Sequence, residues 1–385
     1  MKISKMADSV TPSLTRKLFN MALEIGEDVI NLTLGDPDVL PPEEIRKAAC
    51  DAVMSGKTRY SANAGLIDLR STYAEFFKRN YGIDINPQKN IIATVGGMEA
   101  LFLSLAAMLD KGDEVIVLAP YYVNYVQMIS MLGGTPIIVD RFDNSDLQLA
   151  EEIEKCVTAK TVAIIVNSPC NPTGEVLSGK FLDLVAKIAV QNDLTVISDE
   201  VYNSLIYDGG ISDSIILREG MQERTVIIDS CSKRFAMTGW RIGMTVGPEE
   251  LITNMTKMQE NVAACAPVVS QYAAIKAYSE DFDYSYINKI YNHRRDIVYN
   301  RLCKIPLLEC KKSAATFYCF VDISKTGLDA ETFAYKLLEQ AHVAVVPGTA
   351  YGEQYKSYVR IAFTLKDELL EKAMDRIEEF CRGLR

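Results

Sequence analysis

Histidine is nearly missing from this chain of 385 residues, with only His293 and His342 present. So few imidazoles argue against a histidine-built metal centre and against a serine–histidine–aspartate hydrolase, and no metal site is expected. Basic charge is in deficit: 41 Lys and Arg face 51 Asp and Glu, a net charge of −10. That balance is the wrong footprint for nucleic acid as the main partner, although local anion sites remain open. No run approaches the roughly 18 apolar residues of a membrane span. The opening Met-Lys-Ile-Ser-Lys-Met-Ala-Asp contains no apolar stretch of the kind a secretory signal needs. No Gly-x-Gly-x-x-Gly follows a strand and opens a helix, which sets aside a dinucleotide-binding dehydrogenase. The nine Cys include no Cys-x-x-Cys pair. They read as reduced thiols filling small apolar gaps in a cytoplasmic protein. Chemistry therefore falls to Lys, Asp, Tyr, Asn and Arg.

What is present is an ordinary globular composition, 48% hydrophobic and 24% charged. Seven short runs read as strands: Ile91–Val95, Val115–Ala119, Pro136–Val139, Val162–Asn167, Leu194–Ser198, Val226–Asp229 and Ile242–Val246. Most are continuous and rich in Val and Ile, as strands covered on both faces are. Amphipathic stretches such as Glu99–Leu109 and Phe181–Gln191 separate many of them. The pattern predicts an α/β fold with a mostly parallel seven-stranded sheet and helices on both faces. After about residue 285 the texture changes. A helix at Tyr286–Leu302 and strands at Thr316–Asp322, Val343–Val346 and Tyr358–Thr364 are expected. A helix at Ala330–Gln340 and another from Lys366 complete an α+β unit. We draw a large domain over residues 46–284 and a small one from residues 1–45 and 285–385.

Four polar runs follow predicted strands, where open α/β sheets bind ligands. Ser230-Cys231-Ser232-Lys233 is followed by Met237-Thr238-Gly239-Trp240-Arg241; the plain alternative for Lys233 is a solvated loop lysine. Ser198-Asp199-Glu200-Val201-Tyr202 places two carboxylates at a strand end, as a paired site or as a helix cap favoured by the dipole. Asn167-Ser168-Pro169-Cys170-Asn171-Pro172-Thr173-Gly174 is a rigid turn that can hold the Asn171 amide in place. Gly96-Gly97-Met98 opens a helix, where free backbone N–H groups make an anion site; Gly-Gly is also common in plain turns.

Taken in order, these runs resemble the class I/II aminotransferases of the fold-type-I pyridoxal-phosphate (PLP) enzymes. Leu34-Gly35-Asp36-Pro37-Asp38, Arg59-Tyr60 and Arg360 in Val-Arg-Ile-Ala-Phe extend the likeness across most of the chain. The resemblance implies PLP as cofactor, with Lys233 as its Schiff-base partner and proton shuttle and Asp199 against the pyridine nitrogen. Tyr202 and Asn171 would bond the ring's phenolic oxygen. Ser230, Arg241 and the backbone at Gly96, Gly97 and Met98 would hold the phosphate, and Tyr122 would stack on the ring. Arg360 would clamp the substrate α-carboxylate, with Gly35 and Asn171 close to it. Tyr60 would reach the neighbouring subunit's phosphate, implying a homodimer with shared sites. The partners implied are a small amino acid and a 2-oxoacid, with no nucleic acid and no membrane.

Departures from the family pattern bear on substrate. Some aspartate-using relatives carry Lys after the Gly-Gly pair; here it is Met98. Others supply an Arg from a stretch matching Met258–Pro267, which has none here. Burying a second carboxylate without a cation would cost several kcal/mol, so neutral or aromatic donors are favoured, with 2-oxoglutarate still open as acceptor. Ser313-Ala314-Ala315-Thr316-Phe317-Tyr318 lacks the usual Gly before Phe, which puts the strand geometry there in question. Two other readings are a C–S β-lyase of the same fold, which would need no acceptor, and a non-catalytic regulator keeping the fold. The acidic charge and the absence of spare N-terminal residues for a DNA-binding unit speak against the regulator.

Overall fold

The computed structural model describes every residue except 1, 27, 143, 212, 280–282 and 385; the outer limits drawn for the small domain, 1 and 385, thus lie outside the described residues. All seven predicted strands form one sheet: β1 (Ile91–Thr94), β2 (Glu114–Ala119), β3 (Thr135–Asp140), β4 (Thr161–Asn167), β5 (Thr195–Asp199), β6 (Thr225–Ser230) and β7 (Gly243–Val246). Their spatial order is β1-β7-β6-β5-β4-β2-β3. β3, β2, β4, β5 and β6 pair in parallel. β7 runs antiparallel to both β6 and β1, so the sheet is mixed, with one reversed strand.

The two faces of the sheet follow directly from the period of two along each strand. Ile116, Leu118, Ile164, Val166 and Val196 pack on one side with Leu149, Ile153, Phe181, Leu182 and Val185. Val115, Val117, Ala163, Ile165 and Ile197 pack on the other with Ala100, Leu101, Tyr125 and Met128. The covering helices are Asp146–Cys156 and Gly179–Gln191 on the first face, and Gly97–Ala106 and Asn124–Met131 on the second. Each fully buried Val, Ile or Leu contributes roughly 1.5–3 kcal/mol, so a charge at Ile164 would break both the strand and its helix contacts. Local sequence starts these helices. Ser178 Oγ accepts from Phe181 N at 3.0 Å, and Ser145 with Gln148 forms a reciprocal capping box.

The second core joins the two chain ends. Leu18, Ala22, Ile30 and Leu32 pack with Phe333, Leu337, Met374 and Ile377. Ile30–Asn31 pairs in parallel with Val343–Ala344. β8 (Tyr318–Asp322) and β9 (Tyr358–Ala362) are antiparallel neighbours within a four-stranded sheet. The expected single strand at Val343–Val346 is in fact two. Val343–Ala344 bonds to the N-terminal segment, whereas Val346–Pro347 bonds to β9. The strand expected from Thr316 begins only at Tyr318, because Thr316 takes the left-handed conformation with φ 64°. A residue there meets a Cβ–carbonyl clash that glycine escapes.

Candidate active site

Every strand of the sheet except β3 presents a site run at one rim. β1 leads into Gly96 and Gly97, β2 into Tyr122, and β4 into Asn171. β5 ends at Asp199, β6 leads to Ser230 and Lys233, and Arg241 precedes the reversed β7. Gly97, Tyr122, Asn171, Asp199, Ser230, Lys233 and Arg241 from these runs, with Gly35, Asp36, Tyr318 and Arg360 from the second core's side, line a cavity of about 660 Å³. Of the residues singled out in the sequence, Gly35, Gly97, Met98, Tyr122, Asn171, Asp199, Tyr202, Ser230, Lys233, Arg241 and Arg360 all line it. Gly96 stands behind the wall with φ 79°, where an added Cβ would meet the Arg241 guanidinium at 2.6 Å. Tyr60 lies outside this cavity, and at 88% exposure it projects from the surface of the chain.

Lys233 sits in the four-residue helix Cys231–Arg234 that follows β6, capped by Ser230. Its Nζ donates to the Gly35 carbonyl oxygen at 2.6 Å and faces the rings of Phe317 and Tyr202. Burial pushes the amine down to about 8, Arg360 and Arg241 push the same way, and Asp36 opposes them. Gly35 has no room for a side chain: an added Cβ would stand 1.7 Å from the Tyr318 hydroxyl.

Asp199 is 4% exposed. Burial raises its carboxyl to about 6, against the hydrogen bonds it accepts from the Tyr125 hydroxyl at 2.5 Å and from Val201 N at 3.4 Å. Tyr202 shares a hydrogen bond with Tyr318 at 3.0 Å, and burial keeps its phenol protonated. Asn171 accepts from Arg360 Nη1 at 3.1 Å, and its backbone N–H donates to Asn167 Oδ1 at 3.0 Å. Its amide nitrogen thus remains as a donor. Cis peptide bonds precede Pro169 and Pro172 in the same turn.

Arg360 and Arg241, the buried and half-buried guanidiniums of this cavity, have no counter-ion among the described residues. Arg360 is 4% exposed, donates to Asn171 and to the Thr33 carbonyl, and leaves Nε without a partner. Arg241 donates only to the carbonyls of Thr238 and Val95, at 2.7 and 3.2 Å. Among the described residues neither is within ion-pair distance of a carboxylate. A buried cation without a partner is costly, so the cavity is built for anions. The helix Gly97–Ala106 adds N–H groups to this field, since its Gly96 cap supplies no side-chain acceptor.

Four functional neighbours carried little sequence signal. Tyr125 lies in the first turn of the helix Asn124–Met131 and Tyr122 just before that helix, and their rings meet edge to face at 5.5 Å. Tyr318, Asp36 and Thr33 reach the site only through tertiary contacts. Thr238 Oγ1 donates to Asp36 Oδ1 at 2.6 Å.

Residues 27–377 match the family described as aminotransferase class I and II. The chain is 40% identical over 383 residues to the aromatic-amino-acid aminotransferase 2 of Thermococcus litoralis, covering 98% of both. It is 41% identical over 386 residues to the aspartate aminotransferase of Pyrococcus abyssi, covering 99% of both. Its structure is similar to that of the aspartate aminotransferase from Thermus thermophilus with maleate: the TM-score is 0.93 and the identity 35%, covering 98% of this chain and 99% of that one.

Proposed function

The chain belongs to the class I and II aminotransferases, and from that premise we propose a role for each side chain of the cavity. The protein is a PLP-dependent aminotransferase that moves an amino group from an amino acid to a 2-oxoacid. The residues present fit PLP. Arg241, Ser230 and the backbone N–H groups of Gly97 and Met98 form an anion cradle. Asp199 supplies a buried carboxylate, Lys233 a primary amine, and Tyr122 an aromatic face. When bound, the cofactor supplies an electron-poor ring that stores the electron pair left when the substrate Cα loses its proton.

The chain's own residues do the rest. Lys233 Nζ is the amine that would hold the cofactor and would remove and return the substrate Cα proton. Its lowered titration leaves a neutral, basic amine available near neutral pH. Asp199 would serve as counter-ion to the cofactor's ring nitrogen, its carboxylate held in place by the Tyr125 hydroxyl. Tyr202 and the Asn171 amide donate to the ring's oxygen. Arg360 would bind the substrate α-carboxylate, its guanidinium held for this by Asn171 Oδ1 and the Thr33 carbonyl, and Gly35 would keep its backbone beside that carboxylate.

For the donor, the relatives divide between aromatic and aspartate names at nearly equal identity, so the lining residues carry the reading. Met98, Leu101, Tyr122 and Val201 form an apolar wall, which favours neutral or aromatic side chains.

We divide the chain into a large domain over 46–284 and a small one from 1–45 and 285–385. We also infer a homodimer. Tyr60, Met54, Val53 and Val262 are exposed apolar side chains at 88%, 86%, 51% and 60%, and Tyr60 would complete the partner's phosphate cradle. The acidic charge and reduced thiols suit the cytoplasm, and among the described residues no helix is long and apolar enough to cross a membrane.

The observation that carries this reading is Lys233 Nζ inside a cavity flanked by two counter-ion-free guanidiniums. Lys233→Ala is expected to lose both the visible absorption of the bound cofactor and all transamination from a panel of donors with 2-oxoglutarate and pyruvate. Retention of both refutes the assignment.

A further inference from the structure

We propose that Arg234 and Asp229, buried behind the cavity wall, are a positioning pair for Lys233: they hold its short helix so that Nζ faces into the cavity. The inference rests on the reading of Lys233 as the reacting amine and says what fixes that amine in place.

Lys233 stands on a helix of four residues, Cys231–Arg234. So short a helix has no stability of its own, and its direction is set by what its side chains touch. Lys233 Nζ reaches the Gly35 carbonyl across the cavity. The next side chain, Arg234, turns away from the cavity and is 4% exposed. Its Nη1 donates to the Tyr284 hydroxyl at 3.0 Å and its Nη2 to Asn203 Oδ1. Its guanidinium lies 5.1 Å over the Phe76 ring, and its counter-ion, Asp229, stands 3.6 Å away. Asp229 is itself fixed. The hydroxyls of Tyr73 and Tyr278 donate to Oδ2 at 3.2 and 3.3 Å, and Ser230 N donates to Oδ1 at 2.8 Å.

The same network reaches the strand end that carries Asp199. Asn203 Nδ2 donates to the Tyr81 hydroxyl at 3.0 Å, which donates to Glu200 Oε2 at 2.7 Å. Glu200 follows Asp199 directly, is 1% exposed and also accepts from Ser198 and Ser214. A buried ion pair is no more stabilising than apolar side chains of the same volume. What it adds is direction. Its partners come from β6, the turn after β5, the helix Ile67–Tyr81 and the helix caps Tyr278 and Tyr284, and a planar guanidinium meets them all in one orientation. An apolar substitute would fill the space without fixing which way Lys233 faces.

The test separates position from stability and from charge. In Arg234→Met holoenzyme, kcat is expected to fall on the order of 100-fold, the weight of a misplacement of about 1 Å. KM for donor and acceptor should stay within about threefold, and Arg234→Lys should restore part of kcat. Arg234→Met also leaves Asp229 buried and uncompensated, so its stability in urea should fall. Combining it with Asp229→Asn removes one charge of each sign and keeps an acceptor for the two tyrosines. Stability should then return while kcat stays low. A second readout needs no turnover. In the protein freed of cofactor, trace acetylation should find the Lys233 midpoint of the double variant raised from about 8 by about one pH unit. A loosened amine meets more water, and the net charge is unchanged. Asn203→Ala leaves both charges in place and should lower kcat about fivefold, the weight of one lost hydrogen bond; it decides the matter if the Arg234 variants do not fold. A double variant whose kcat and Lys233 midpoint return with its stability would overturn the proposal. So would a loss confined to KM, or Asn203→Ala enzyme with wild-type kcat. The labelling midpoint reports where Lys233 sits whatever its chemical role, so it stands apart from Lys233→Ala, which decides the reading of the amine.

Discussion

The titration of Lys233 in the cofactor-free protein offers the most direct check on the cavity. Its amine ordinarily titrates at 10.5 and here stands at about 8. At pH ~7.5 about a quarter of the chains would carry it neutral, against about one in a thousand for an unperturbed lysine, a gain of roughly 200-fold in reactive amine. Removing Asp36, which holds the value up, as Asp36→Asn should lower the midpoint. Removing Arg360, which presses it down, as Arg360→Gln should raise it. Trace acetylation followed by peptide mass spectrometry, between about pH 6 and 11, reads the midpoint of Lys233 against those of exposed lysines. The same shift has a stability signature. Because the folded value lies below the unfolded one, the charged amine costs the fold about 3 kcal/mol below pH ~8. That cost fades as pH rises towards ~10.5. Lys233→Met should remove this slope from the cofactor-free protein's pH–stability curve. A wild-type midpoint near 10.5, or variants that move the midpoint in the same direction, would refute the electrostatic reasoning.

Two further outcomes follow from particular contacts. Arg360→Leu should raise KM for every α-carboxylate substrate on the order of 100-fold; steady-state kinetics in which a single substrate suffers would make Arg360 a side-chain reader instead. Thr316→Gly should stabilise the protein by about 1 kcal/mol in urea denaturation, since glycine removes the strain of a β-branched residue at φ 64°. A loss of more than about 1 kcal/mol would mean that the Thr316 Oγ1 contact with Tyr318 N, at 3.3 Å, outweighs that strain.

The seven large-sheet strands were legible because both faces of the sheet are buried. Apolar runs such as Val162–Val166 carry no polar interruption and admit few other assignments. Lys233, Asp199, Asn171 and Arg241 were legible because each lies in a compact run beside a strand. Their partners were not. Tyr125 and Asp199 are 74 residues apart, Tyr202 and Tyr318 are 116, and Lys233 and Gly35 are 198, and no periodicity links positions at such separations. The break at Val345 was hidden for a related reason. Four consecutive apolar residues read as one strand, but two different sheets compete for them. At Thr316 the sequence did give a warning, the absent glycine, and the structure shows the threonine forced into the conformation that glycine would take freely.

The reversed direction of β7 settles which edge of the sheet can change without touching catalysis. Had β7 run with its neighbours, Arg241, just ahead of it, would have emerged some four residues' length away, at the opposite edge. One turned strand instead brings the Arg241 guanidinium level with Gly97 and Ser230. The far edge is left with the connections near Asp113, Lys160, Asn192 and Arg224, none of which borders the cavity. Tags, labels and insertions belong there, a design freedom written into the fold by a single change of heading.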